Sequence, residues 1–136
     1  MNKTDLMFKE AFEDLKPYWT LKETDNVFEL IPGDPEWPLE NLSGYFSWGD
    51  SDQEHLKNRI EKGEIIWKAR QEDLQVIYKQ EQDCNFDYMI SEFGKFIDNG
   101  PWIYYNHFHV TDFNQAWLCF IMETCFNKQW NGATWE

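Results

Sequence analysis

The sequence predicts an α+β fold, one domain over residues 1–136, with a largely antiparallel sheet of hairpins packed by about four helices. Three observations lead there. First, 136 residues with 42% hydrophobic and 18% aromatic content suffice for one real core. Second, segments of helical period alternate with short runs of period two. Third, the short runs come in neighbouring pairs, which favours hairpins over parallel crossovers.

The first element is a helix from Asn2 to Lys16. Phe8, Ala11, Phe12 and Leu15 stand at i, i+3, i+4 and i+7 on one face, and Pro17 stops the run. Tyr18–Glu23 and Val27–Ile31 read as strands of a hairpin turning at Asp25-Asn26. Pro32 to Pro38 holds three prolines and a glycine and reads as a loop.

Ser51-Asp52-Gln53-Glu54 has the form of a capping box and announces a helix with Leu56 and Ile60 on its inner face. Gly63 ends that helix, or is crossed by one longer helix. Ile65, Trp67 and Ala69, then Leu74, Val76 and Tyr78, alternate as a second hairpin would. The turn between them, Arg70 to Asp73, lacks the usual glycine or asparagine.

Phe86, Met89, Ile90, Phe93 and Ile97 form the clearest helical stripe, closed by Asn99-Gly100-Pro101. Trp102 to Val110 is aromatic and β-branched and reads as a buried strand. Asp112 and Gln115 cap a last helix over Phe113–Asn127, apolar on most sides and therefore expected inside the fold.

Composition excludes several functional classes. The longest unbroken apolar run, Ala116 to Met122, is far short of the roughly 20 residues that span a membrane. The N-terminus has acids where a secretory signal would be apolar. With 12 Lys+Arg against 25 Asp+Glu the net charge is −13, so phosphate-backbone binding to nucleic acid is not expected. Three cysteines, Cys84, Cys119 and Cys125, lack metal or disulfide spacing and read as apolar thiols in a reducing, cytoplasmic setting.

His107 and His109 are two apart on the expected strand and would face one side, with Asp112 nearby. Two imidazoles and a carboxylate are donors that zinc accepts. The spacing misses the H-x-H-x-D of metallo-β-lactamase-like hydrolases by one residue. His109-Val110-Thr111 supplies one H-x-T where two-histidine phosphoesterases need two. Strand histidines with ordinary hydrogen bonds account for the pair, and no metal, cofactor or catalytic residue is assigned. Cys119 and Cys125 sit on an apolar helix that disfavours a thiolate. No glycine-rich phosphate loop and no G-x-S-x-G elbow occurs.

Asp34 to Glu54 stands apart. Asp34, Glu36, Glu40, Asp50, Asp52 and Glu54 alternate with Trp37, Tyr45, Phe46 and Trp48, and no lysine or arginine intervenes. Aromatic side chains anchor interfaces, and surrounding carboxylates steer a basic partner. The expectation is a small, non-enzymatic acidic protein that binds and inhibits a basic-surfaced protein. Nuclease inhibitors, toxin-immunity proteins and nucleic-acid mimics have this composition. Its contact residues are Asp34, Glu36, Trp37, Glu40, Tyr45, Trp48, Asp50, Asp52 and Glu54. The alternatives are a small-molecule or carbohydrate module with Trp and Tyr platforms, or a small metal enzyme using His107 and His109.

Overall fold

The computed structural model describes residues 1–22, 25–31, 50–98, 105, 110 and 112–136, with backbone alone at 50–53. Among these, the chain is mixed helix and sheet: α1 (Lys3–Leu15), a 3-10 turn (Lys16–Tyr18), β1 (Val27–Glu29), α2 (Asp50–Glu61), β2 (Ile65–Trp67), α3 (Gln71–Gln82), α4 (Phe86–Asp98) and α5 (Phe113–Phe126). None of the described helices is long and apolar enough to cross a membrane.

α1 begins where the Asn2 side chain accepts the Asp5 N–H at 2.8 Å. It buries the expected face, Phe8, Ala11, Phe12 and Leu15, and Met7 beside it. Tyr18–Glu23 does not form the partner strand of a hairpin at its described residues. Tyr18 belongs to the 3-10 turn, and the Asp25 carboxylate accepts from Lys22 N at 2.7 Å and from Trp19 Nε1 at 2.8 Å. Such local bonds give the backbone an alternative to a ladder.

The sheet is antiparallel, but its partners are distant in sequence. β1 pairs with β2 in the register Val27↔Trp67, Phe28↔Ile66 and Glu29↔Ile65. All three β2 residues are buried, and the Trp67 ring lies flat against Trp19, 5.5 Å away at 1°. Gly63 ends α2 with φ +74°, which rules out one helix running through it. Leu56 and Ile60 are buried as expected, while Ser51 lies inside the first turn of α2.

Leu74, Val76 and Tyr78 belong to a helix, not to a strand. The Asp73 carboxylate accepts the Arg70 N–H at 2.9 Å and starts α3. The inner face is Leu74, Ile77 and Tyr78 at i, i+3 and i+4, and Val76 points outward at 47% exposure. Two members of a helical triplet thus imitated period two. Asn85 opens α4 by accepting from Tyr88 N at 2.9 Å.

Asp112 caps α5 as expected, accepting from Gln115 N at 2.7 Å. Residues Gln115 to Met122 are all buried, and the helix packs mainly on α3. Of the expected strand Trp102–Val110, only Tyr105 and Val110 are described; Tyr105 is helical rather than extended, and both are buried. Asn99-Gly100-Pro101 lies outside the described residues. The C-terminus closes in a bridge between Trp130 and Trp135, with Trp135 Nε1 donating to Met7 O at 3.0 Å.

Candidate functional site

The expected contact segment lies largely outside the described residues. Asp34, Glu36, Trp37, Glu40, Tyr45 and Trp48 are all among those not described. Asp50 and Asp52 belong to the first turn of α2, and Glu54 is exposed one turn further on. Lys57 stands 3.9 Å from Glu54, so the helix brings a cation next to a stretch that has none of its own.

What the structure does define is how the two ends of that segment are held. The chain leaves β1 at Ile31, whose carbonyl oxygen accepts from Arg59 Nη2 at 2.7 Å. The same nitrogen donates to Glu29 at 2.9 Å, and Arg59 Nε donates to Glu64 at 3.5 Å. Leu30 N and Ile31 N both donate to the Glu64 carbonyl, at 2.8 and 3.3 Å. Arg59 comes from α2, the helix that receives the chain after the segment. One buried guanidinium therefore ties the exit at Ile31 to the helix that begins at Asp50. Burial opposes its charge, but the Glu29 and Glu64 carboxylates outweigh that and hold it above its ordinary value.

Cations elsewhere are also engaged within the chain. Lys9, Lys16, Lys68, Lys95 and Lys128 each stand 2.6–3.8 Å from a carboxylate. Lys16 bridges Glu13 on α1 and Glu61 on α2, yet those two carboxylates remain 85% and 73% exposed. These five lysines are matched within the chain, while the carboxylates around Lys16 still face water.

The remaining chemical candidates resolve as follows. His107 and His109 lie outside the described residues, and Asp112 is occupied as the cap of α5. Among the described residues no three His, Cys, Asp or Glu side chains converge as a metal site would require. Cys84, Cys119 and Cys125 are free thiols. Burial pushes Cys119 and, less completely enclosed, Cys125 above the ordinary thiol range, which disfavours a nucleophilic thiolate. Trp67, Trp117, Trp130 and Trp135 are buried and Trp19 is half-buried, so none of the described tryptophans offers an open stacking face.

A groove between α4 and the start of α5 was not foreseen. The stripe on α4 sends Met89, Phe93 and Phe96 inward, but Phe86 and Ile90 are 54% and 41% exposed, and Phe113 on α5 is 65% exposed. Phe93, Gly94, Ile97, Asp98, Asp112, Phe113 and Ala116 line a hollow of about 420 Å³. The one sequence signal for it is Gly94 in the middle of an otherwise good helix. Compared with protein-family models, curated proteins and solved structures, the chain matches none.

Proposed function

We propose that this is a small acidic interaction protein that binds and inhibits a basic-surfaced macromolecule, such as a nuclease, a toxin or another nucleic-acid-binding protein. The observation that carries the reading is the net charge of −13 together with the pairing of Lys9, Lys16, Lys68, Lys95 and Lys128 to carboxylates of the chain itself. The surplus carboxylates are left to act outward. Carboxylates placed where phosphates would lie can occupy a basic cleft, and the acidic field raises the rate of encounter. Asp34 to Glu54 supplies acids and aromatics between two anchors joined by Arg59. Loops borne on a firm scaffold are where contact residues concentrate.

The test starts with cross-linked capture of the partner from the source cells, followed by reconstitution with the purified partner. Association rates should fall steeply from 50 to 500 mM salt, because exposed charges are screened beyond about 8 Å at physiological ionic strength. Reversing Glu36, Glu40, Asp50 and Asp52 to lysine should act mainly on association. Replacing Trp37 or Trp48 by alanine should act mainly on dissociation, by about 2 kcal/mol or more at a hot spot. A salt-independent rate, or a charge-reversed protein that binds as tightly as the parent, overturns the reading.

A further inference from the structure

The outer side of α4 carries more apolar surface than the fold consumes. Phe86, Ile90 and Ile97 follow one another along that helix over about 16 Å, at 1.5 Å per residue. The first two are exposed and Ile97 is half-buried, and Phe113, at the start of α5, lines one hollow with Ile97. The base is firm, since the Phe93 ring lies on Trp117 at 3.8 Å and 8°.

Gly94 adds an independent observation. Glycine inside a helix is destabilising relative to alanine, and it is kept where another group must come close to the backbone. Here, among the described residues, a β-carbon at Gly94 would meet nothing within 4 Å. The described fold makes no use of the space that the glycine leaves, and that space opens into the groove.

Charge selects the occupant. Among the described residues that line it, the groove is apolar except for the carboxylates of Asp98 and Asp112, and Asp87 is exposed one residue after Phe86. Lys95, the cation on α4, lies 3.0 Å from Glu92. A second copy of a chain with net charge −13 would bring acid against acid. We propose that the α4–α5 groove seats a basic amphipathic helix of a partner protein. Its apolar side chains lie over Gly94 and Phe113, and its lysines or arginines meet Asp98 and Asp112. This rests on the reading of the protein as an acidic binder and gives that binder an apolar anchor built from residues other than Asp34–Glu54.

The experiment is calorimetric titration with two synthetic 18-residue leucine–lysine peptides of equal composition. One has its leucines at i, i+3, i+4 and i+7, and the other is scrambled. The amphipathic peptide should bind at least tenfold more tightly than the scrambled one. Gly94→Leu, which fills the groove, should abolish that preference without lowering the melting temperature. Phe113→Ser, at a position already exposed, should reduce it in the same direction and serves if Gly94→Leu misfolds. A preference kept within twofold in both variants overturns the groove while leaving the acidic reading standing. Failure of both peptides to bind at 50 mM salt overturns the acidic reading as well. A dimer in sedimentation equilibrium that Gly94→Leu dissociates assigns the groove to a second copy and overturns the proposal.

Discussion

Replacing Arg59 by methionine is the most informative perturbation of the scaffold. Arg59 is 5% exposed and is held by Glu29, Glu64 and the Ile31 carbonyl. Methionine keeps most of the apolar stem and removes the charge and all its donors. Glu29 and Glu64 then lose the cation that they share, and the Ile31 carbonyl loses the guanidinium donor. Breaking a buried pair from one side costs about 3–5 kcal/mol, and an exposed pair about 0–1. The two carboxylate side chains are each 23% exposed, so water recovers part of the loss. The expected destabilisation is therefore about 3 kcal/mol, near the lower end of the buried range. At about 2.1 cal/mol/K of unfolding entropy per residue, a chain of 136 residues should lose about 10 °C in melting temperature. Urea denaturation followed by circular dichroism measures it, and an unchanged slope identifies a pure stability effect. Adding Glu29→Gln and Glu64→Gln should recover about half of the loss, since the network is then neutral rather than broken. A loss below about 1 kcal/mol for Arg59→Met refutes the account of Arg59 as the tie between β1 and α2.

Three further outcomes are expected. Tyr18, whose hydroxyl donates to Glu81, and Tyr78, enclosed by the core, both have phenols pushed up to about 12. Their folded values exceed the unfolded one, so the stability they add is complete below about pH 10 and is lost as pH rises through about 12. Tyrosinate absorbance of the folded protein should show late-titrating groups that Tyr78→Phe reduces; complete ionisation near pH 10 without unfolding refutes this. Gly94→Ala should raise stability by about 1 kcal/mol, read from the urea midpoint, because the new methyl group meets nothing among the described residues; a decrease would mean the site is not open. Chelator and reductant should move the melting temperature by less than about 10 °C, a shift of a few kcal/mol at this size. Stoichiometric zinc or manganese that disappears in the His107→Ala, His109→Ala double variant would instead promote the metal-enzyme alternative.

The elements legible in the sequence are those specified within a few residues. α1 and α4 announce themselves by period 3.6 and α5 by its cap and its long apolar run, and the caps Asn2 and Asp112 act on N–H groups three residues away. Gly63 ends α2 because a left-handed residue closes the helix locally. Strand pairing was different in kind. Val27–Glu29 had a nearby candidate partner in the chain, yet it lies beside Ile65–Trp67, because Asp25 bonds its own neighbours and the buried β2 needs a companion. That contest is decided by burial across separations that run from 36 residues at Glu29↔Ile65 to 40 at Val27↔Trp67, and no local pattern records it. Leu74 and Tyr78 are compatible with either period, and only Ile77 facing inward and Val76 facing out distinguish them. The acidity and its excess over lysine were plain from composition, whereas the groove was not. Phe86, Ile90 and Phe113 have the chemistry of core residues; they remain at the surface although α4 packs, among the described elements, on α3 and α5. Which apolar side chains stay uncovered is set by how many neighbours a helix finds, and that is a property of the assembled fold.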